Sequence, residues 1–301
     1  MTERELIAWI EQRAPRFGQR VRLGIGDDCA IYRPQPGYDL LFTTDFTLED
    51  RHFTWRDYKP HEAGWKAMAR ALSDLAAMGA TPEFALVSLA ASTECNLKGF
   101  FTGLIRCAKH YHVTIAGGDL TESPRLICDI SLAGRVPAGK AILRSGARPG
   151  DRLYVTGPMG TWKKKPLPRF DLRSTMLRHA TAAIDVTDGL AMDLSRLLTA
   201  SGCAAEIVND PPLDPGATAA MGWHEGESYE LLLASPKRLR LPYLGQVVAG
   251  VPGQIRRLDS LGQGSLISAS GWDPFPSAPH CSPSPAAPLA SRPRNPSSRG
   301  K

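Results

Sequence analysis

The stretch HEAGWKAMARALSDLAAMGATPEFALVSLA, residues 61–90, decides the fold class because the spacing of its apolar residues changes along it. Over residues 61–79 apolar side chains recur at three- and four-residue spacing, which predicts a helix that ends at Gly79. Residues 84–90 form a short apolar run, which predicts a strand. A helix followed directly by a strand is typical of a protein that mixes the two elements.

The same alternation extends along the rest of the chain. It predicts further strands at residues 39–45, 112–116, 126–132 and 153–156, and helices at residues 97–110 and after Gly189. A Pro-Gly-Asp turn at residues 149–151 separates two halves. We therefore predict an α/β (α+β) fold with domains at residues 1–147 and 148–275, followed by a tail of residues 276–301.

Composition is that of an ordinary globular protein. The chain has 301 residues, 43% of them hydrophobic and 22% charged, which is enough for one large domain or two smaller ones. No apolar run is long enough to cross a membrane, and the charged, amphipathic N-terminus does not resemble a signal peptide. We expect a cytoplasmic protein with no membrane partner.

Cysteines and net charge exclude two further classes. The six cysteines are scattered without a CxxC pair, which argues against a disulfide framework or a zinc site. The tail carries +4 of the net charge of +6 and holds seven prolines and no acidic residue. Such a segment is predicted to be disordered, and we expect no nucleic-acid partner.

The pattern that points to chemistry is a set of aspartates at predicted element ends or among apolar neighbours. Its members are Asp27, Asp28, Asp45, Asp74, Asp119, Asp185 and Asp188. Each alone is explained by a turn or a helix cap. Together they indicate a magnesium site, because buried carboxylates need cations and magnesium prefers oxygen ligands and phosphates.

A near match to a P-loop is rejected. Residues 134–141, GRVPAGKA, end in Ala141, so the hydroxyl that would bind magnesium is missing. We predict an ordinary loop there, with Arg144 just downstream as a candidate phosphate contact.

Six segments within about residues 20–275 carry a resemblance to a known family, and they are GIGDD, TTDFTLEDRHF, ALSDLAAMGATP, AGGDLTES, ILRSGARPGDRLYVTG and IDVTDGLAMDL. In order and approximate spacing they resemble the thiamine-monophosphate kinase family of the PurM-like superfamily. The resemblance implies a PurM-like two-domain fold and a homodimer. Residues 1–147 would form an ATP- and magnesium-binding domain whose sheet pairs with a second subunit, and residues 148–275 a shortened C-terminal domain. It also implies transfer of a phosphoryl group from ATP to thiamine monophosphate, with Mg2+ as cofactor.

The resemblance also assigns roles to individual residues. Catalytic roles fall to Asp45, Asp74 and Asp119, and metal binding to Asp28, Thr43, Thr44, Asp45, Asp74, Asp119, Asp185 and Asp188. ATP contacts fall to Gly118, Asp119, Arg144 and Thr187, and substrate contacts to His52, Glu227 and Trp272.

These residue types suit the reaction. A phosphate monoester has a second pKa of about 6, so the acceptor is largely dianionic at neutral pH and needs no strong base. What it needs is charge cancellation and alignment with ATP, which magnesium and Arg144 would provide. An aromatic ring such as Trp272 can stack on a cationic heterocycle, although it would equally serve as a hydrophobic plug near the chain end.

Departures from the family pattern leave alternatives open. The family motif GGEDYEL is EGESYEL at residues 225–231, and the chain is short at residues 160–166 and 213–223. These differences keep two other hypotheses, a PurM-like enzyme with another acceptor and a non-catalytic nucleotide-binding protein. Selenophosphate synthesis is disfavoured, because the glycine-rich N-terminal segment offers no catalytic Cys or Lys.

Overall fold

The computed structural model describes residues 2–272. The predicted tail of residues 276–301 and Cys281 lie outside this part of the chain. The described residues form two large β-sheets, one built before residue 147 and one after it, and a small two-stranded sheet in the first part. We call the parts before and after residue 147 the N-terminal half and the C-terminal half. The fold is the mixed α/β arrangement expected from the sequence. The proposed domain boundaries stay a prediction.

The N-terminal half is a four-stranded sheet covered by helices. Its helices are α1 (Glu3–Arg13), α2 (Pro60–Ala77) and α3 (Leu97–His110). Its strands are β1 (Val21–Leu23), β2 (Ile31–Tyr32), β3 (Tyr38–Leu48), β4 (Thr81–Ala91), β5 (Thr114–Glu122) and β6 (Ile127–Pro137). The sheet order is β3-β6-β4-β5, antiparallel except for the parallel β4–β5 pair. The short strands β1 and β2 pair separately.

Helices α2 and α3 lie very close together. A Cβ atom at Gly64 of α2 would stand 1.9 Å from the Phe100 carbonyl oxygen, and one at Gly103 of α3 would stand 1.8 Å from that of His61. Only glycine permits this separation. Helix residues such as Leu72 and Phe100 are fully buried, and they join buried strand residues such as Ile130 in one core. The opposite face of the sheet leaves large apolar side chains exposed, and these are Phe42, Phe46, Leu86 and Ile127.

The C-terminal half is built around a seven-stranded sheet. Its strands are β7 (Arg152–Val155), β8 (Ala182–Asp185), β9 (Ala204–Ile207), β10 (Leu231–Ser235), β11 (Tyr243–Val248), β12 (Ile255–Leu258) and β13 (Gly264–Leu266). Its helices are α4 (Arg173–His179), α5 (Leu190–Ser201) and α6 (Ala219–His224). The strand order is β13-β12-β9-β11-β7-β10-β8, so β8 forms one edge.

The two halves share a buried apolar cluster. Ala77 at the end of α2 packs there with Ile142, Tyr154, Ala183 and Leu233. This packing holds the C-terminal end of α2 beside the edge strand β8.

Two sequence interpretations were wrong in detail. Asp45 and Asp119 were predicted at strand ends, yet both lie inside long strands, β3 and β5. Strand β3 stays paired to β6 from Tyr38 to Leu48, and β5 stays paired to β4 through Glu122. Residues 134–137 also continue β6 instead of forming a loop, and Arg144 begins a short 3-10 turn.

Candidate active site

A cleft lies between the two halves. It has a volume of about 440 Å³ and is lined by strand β3, helix α2, the loop after β8, the loop before β10 and residues 271–272. Its lining includes polar, charged and aromatic side chains, and these are Thr44, Asp45, Arg51, His52, Arg70, Asp74, Trp162, Asp185, Thr187, Asp188, Glu227 and Trp272.

Asp74 and Asp185 form the acidic centre of this cleft. Asp74 lies in the last turn of α2, and Asp185 is the final residue of β8 and is 3% exposed. Thr43 Oγ1 donates a 2.5 Å hydrogen bond to Asp74 Oδ2, whereas Asp185 Oδ2 is buried with no hydrogen-bond partner among the described residues. Burial, and then the Asp74 charge, raise the pKa of Asp185 to about 8, and burial also raises the pKa of Asp74. A bound cation would relieve this unfavourable pairing.

Two basic side chains on α2 that were not predicted from the sequence belong to the site, Arg70 in the lining of the cleft and Lys66 behind it. Arg70 Nη2 donates to Asp45 Oδ1 at 3.0 Å, and Arg70 Nη1 donates to Glu227 Oε1 and to the Tyr229 hydroxyl, both at 2.7 Å. Burial raises the pKa of Asp45, and the Arg70 charge acts against that rise. The signal was available, because Lys66, Arg70 and Asp74 follow one another at four-residue spacing in an otherwise apolar helix.

Lys66 is fully buried behind the cleft. Its ammonium group donates 2.9 Å hydrogen bonds to the His52 carbonyl oxygen and the Tyr58 hydroxyl, and a third bond to Glu227 Oε2. Burial lowers the pKa of Lys66, while the Glu227 carboxylate raises it. All three donors of the ammonium group are used, so Lys66 is committed to holding Glu227.

The loop after β8 is positioned by Asp193 of α5, which is 1% exposed. Its Oδ2 accepts hydrogen bonds from the backbone N–H groups of Thr187 and Asp188, both at 3.0 Å. Burial raises the pKa of Asp193 to about 6, against the effect of these bonds. Arg196 donates to both Asp193 and Asp188. These hydrogen bonds fix the backbone of Thr187 and Asp188. The Thr187 side chain takes no part in them.

The loop at residues 225–230 crosses the loop after β8. The backbone N–H of Glu227 donates to the Thr187 carbonyl oxygen at 2.7 Å. Ser228 is 1% exposed, and its hydroxyl donates to the Val186 carbonyl oxygen at 3.0 Å. An ionised aspartate, the residue of the family motif, cannot donate that hydrogen bond. The serine therefore makes a hydrogen bond that stabilises this loop and that the family's aspartate could not make.

Trp272 and His52 meet at the mouth of the cleft. The backbone N–H of Trp272 donates to the Asp188 carbonyl oxygen at 2.8 Å, and the centre of the Trp272 ring lies 6.4 Å from that of the His52 ring. The Arg51 guanidinium stands 4.7 Å from the centre of the same indole. His52 Nδ1 accepts from the Leu48 N–H at 2.9 Å, and burial lowers the pKa of His52 to about 3. His52 is therefore neutral at physiological pH.

The shortened segment around residues 160–166 is held in place by Glu230. This 9% exposed carboxylate accepts from Thr156 Oγ1 at 2.7 Å, Lys163 Nζ at 3.0 Å and Arg169 Nη1 at 2.8 Å. Trp65 Nε1 donates to the Pro166 carbonyl oxygen at 2.9 Å. The segment remains packed against α2 and brings Trp162 to the cleft.

Part of the predicted site lies elsewhere. Asp28, Gly118 and Asp119 line a second cavity of about 970 Å³, which we call the sheet cavity, between α1, residues 24–30 and the open face of the four-stranded sheet. Strands β3 and β5, which carry Asp45 and Asp119, form opposite edges of that sheet. A cavity of about 530 Å³ beside the cleft contains Thr43 and Arg144 and shares Asp74 and Asp185 with it.

The predicted site residues thus fall into two groups. The cleft and the cavity beside it bring together Thr43, Thr44, Asp45, His52, Asp74, Arg144, Asp185, Thr187, Asp188, Glu227 and Trp272. Asp28, Gly118 and Asp119 stay apart from them within one chain.

Over residues 2–272, no group of three or more His, Cys, Asp or Glu side chains is arranged so that it could hold a metal ion by itself. No helix in this range is both long and apolar enough to cross a bilayer.

Known proteins match both the sequence and the fold. Residues 26–136 match the family model "AIR synthase related protein, N-terminal domain". The Escherichia coli (strain K12) thiamine-monophosphate kinase is 33% identical over 325 residues, an alignment that covers 91% of this chain and 98% of that protein.

Solved structures agree with that match. The crystal structure of thiamine-monophosphate kinase from Stenotrophomonas maltophilia K279a aligns with a TM-score of 0.74 at 27% identity, over 85% of this chain and 96% of that one. AaThiL complexed with AMPPCP and TMP aligns with a TM-score of 0.71 at 26% identity, over 81% and 89% of the two chains. The chain described here therefore belongs to the thiamine-monophosphate kinase family.

Proposed function

We propose that this protein transfers the γ-phosphoryl group of ATP to thiamine monophosphate, producing thiamine diphosphate and ADP. The observation that carries the proposal is the convergence of Asp45, Asp74, Asp185 and Asp188 from both halves on one cleft. Family membership supports the same activity, as does the AaThiL complex, which contains AMPPCP and TMP.

Magnesium fits the acidic side of the cleft. Asp74 and Asp185 would hold one ion, and Asp45, Asp188 and the Thr43 and Thr44 hydroxyls would supply oxygen ligands to this or a further ion. Asp185 Oδ2 has no hydrogen-bond partner among the described residues, so it is available to a cation. Mg2+ commonly takes one or two carboxylates and completes its shell with water and substrate phosphates. A bound magnesium ion would supply neutralisation of the charge on the phosphates.

The chain's own residues would position the reactants and need not remove a proton. An acceptor phosphate oxygen forms a bond to the γ-phosphorus while the bond from that phosphorus to the β–γ bridging oxygen breaks, and ADP leaves with the electron pair. The acceptor, with a second pKa of about 6, already offers an unprotonated oxygen. His52 is neutral, and its Nδ1 is occupied by the Leu48 N–H, so we assign it to substrate contact. Glu227 and Trp272 would contact the same substrate.

The ATP contacts are divided between two places. Thr187 lines the cleft and Arg144 lines the cavity beside it, whereas Gly118, Asp119 and the proposed metal ligand Asp28 line the sheet cavity. Strands β3 and β5 are separated by β6 and β4, which at about 4.8 Å per strand amounts to roughly 14 Å. One chain therefore does not assemble all the predicted contacts.

A homodimer would bring the two groups together. The sheet face that carries the sheet cavity also exposes Phe42 and Phe46, at 70% and 55%. Adjacent exposed apolar side chains on a sheet face favour cover by a protein partner. We propose that a second copy of the chain covers this face. Asp28 and Asp119 of that copy would then lie beside strand β3, which carries Asp45, of the first copy. A cytoplasmic location remains a prediction from the sequence.

The direct test is turnover of thiamine monophosphate and ATP with magnesium, measured as thiamine diphosphate and ADP. We expect equimolar products from the full chain and no product from the Asp45→Asn and Asp74→Asn variants. Product formation unchanged in both variants would contradict the site. ADP formation with another phosphate acceptor only, or nucleotide-dependent thermal stabilisation without turnover on any acceptor, would favour the two alternative hypotheses.

A further inference from the structure

Arg70 joins two carboxylates that belong to different halves of the protein. Its side chain is 12% exposed and lies on the cleft side of α2. One terminal nitrogen contacts Asp45 of β3 at 3.0 Å, and the other contacts Glu227, in the loop before β10, at 2.7 Å. A single guanidinium group therefore spans the cleft.

Charge explains why a cation is needed at this position. Asp45 and Glu227 have side chains only 25% and 12% exposed, and two such carboxylates repel strongly when water is excluded. Arginine stays charged at every relevant pH, and its flat, forked donors match two carboxylate groups. Lys66 adds a second positive charge to Glu227. Two cations thus balance two anions on this side of the cleft.

The neighbouring pair of aspartates has no such cation. Among residues 2–272, the ion pairs at the cleft join Arg70 and Lys66 to Asp45 and Glu227, and Arg196 to Asp188 and Asp193. None of them involves Asp74 or Asp185. One side of the cleft is therefore neutralised by ion pairs within the protein, whereas Arg144 acts on Asp74 and Asp185 only from beyond ion-pair distance.

We propose that Arg70 is a positioning residue that acts as a built-in cation, holding Asp45 and Glu227 together across the cleft without a divalent ion. Before nucleotide binds, divalent ions are thereby confined to the Asp74–Asp185 pair. Asp45 Oδ2 has no hydrogen-bond donor among residues 2–272, so it is available to an ion that arrives with ATP. The kinetic consequence of this inference rests on the proposed function, whereas its consequence for ion binding does not.

The test counts Mn2+ ions bound to the full chain without nucleotide, using the electron paramagnetic resonance signal of free Mn2+. Arg70→Met keeps the length of the side chain and removes its charge, so we expect it to bind one ion more per chain than the parent protein. Arg70→Met combined with Asp45→Asn should lose that additional ion. Arg70→Lys, which retains a cation, should not gain it.

The matched control is Arg135→Met. Arg135 has a side chain that is 19% exposed and pairs with Glu83 in the N-terminal sheet, away from the cleft lining. It tests whether the loss of any buried arginine changes Mn2+ binding, and we expect the parent stoichiometry. An equal number of ions in the parent and Arg70→Met, bound with equal affinity, would overturn the proposal.

A thermal measurement keeps the proposal testable if Arg70→Met is poorly folded. Mn2+ should then raise the melting temperature of Arg70→Met more than that of the parent, and Arg70→Met combined with Glu227→Gln should melt higher than Arg70→Met alone. Equal Mn2+ shifts in the parent and Arg70→Met, with no recovery in the double variant, would contradict a charge-balancing role.

Turnover separates this inference from the proposed function. In Arg70→Met the KM for thiamine monophosphate should rise about tenfold, because Glu227 then keeps only one of its two cationic partners. Additional magnesium should recover part of kcat/KM in that variant. If the parent protein does not phosphorylate thiamine monophosphate, the proposed function fails, and the ion count still decides the role of Arg70.

Discussion

The cleft and the sheet cavity hold the two groups of predicted site residues, and they differ in how far one chain completes them. In the cleft, Asp45, Glu227 and Asp188 already have charged partners and fixed backbone contacts. In the sheet cavity, Asp28 and Asp119 stand beside an exposed apolar face and make no ion pair among the described residues. The comparison indicates that the C-terminal half completes the cleft, whereas the sheet cavity would be completed only by the second copy proposed above.

The largest expected effect is on the cleft. Asp185→Asn should lower turnover by about a hundredfold or more, because the charge stabilisation that a metal provides is worth several kcal/mol. The melting temperature should stay the same or rise, since an unpaired buried carboxylate oxygen is removed. Steady-state kinetics and thermal denaturation test this pair of results. Loss of activity together with a large loss of stability would mean that Asp185 is structural.

A mixing experiment tests whether the two cavities act together across a dimer. Asp74→Asn and Asp119→Asn should each be inactive alone. After refolding together, about a quarter of the parent activity should return, because half of the dimers are mixed and each has one intact site. No recovery, although mixed dimers are shown to form, would place Asp119 in the same site as Asp74 of its own chain.

The exposed sheet face predicts a smaller but direct effect on assembly. Phe46→Glu should convert the proposed dimer to a monomer, because a charge at this 55% exposed ring opposes apolar cover. Leu261→Glu is the matched control, since Leu261 is 80% exposed in the C-terminal half. Sedimentation velocity measures both. A dimer that survives Phe46→Glu would contradict the proposed interface.

The smallest expected effect concerns the altered motif beside the cleft. Ser228→Ala removes the hydroxyl that bonds the Val186 carbonyl oxygen. One buried hydrogen bond of this kind contributes about 1 kcal/mol. The melting temperature should fall by about 2–4 °C, the usual shift for 1 kcal/mol in a domain of this size. A fall of much more than that would show that Ser228 organises the whole loop.

The sequence predicted elements best where a single period dominates. Helix α3 occupies residues 97–110 as expected, because its apolar face repeats regularly and Asn96 caps its N-terminus. The end of β5 was missed because Gly117-Gly118-Asp119 suggests a turn. Parallel pairing with β4 carries the strand through these residues, and a Cβ at Gly118 would stand 1.9 Å from the Val87 carbonyl oxygen.

The site was predictable in its acidic residues and not in its basic ones. Aspartates at predicted turns are recognisable as candidate ligands. Lys66 and Arg70 lie within helix α2, and charged residues in helices usually face water. Their burial depends on the C-terminal half covering α2, which a local pattern does not contain. The separation of Asp119 from Asp45 likewise depends on sheet order, a property of the whole N-terminal half.

The close approach of Gly64 and Gly103 has a consequence for how this protein can vary. Any larger residue at either position would push α2 away from α3. Lys66, Arg70 and Asp74 would then be displaced with the helix, although none of them had been replaced. Gly103 does not line the cleft. Substitutions at this position of α3 are nevertheless restricted, because they would disturb the α2 side chains on which the reaction depends.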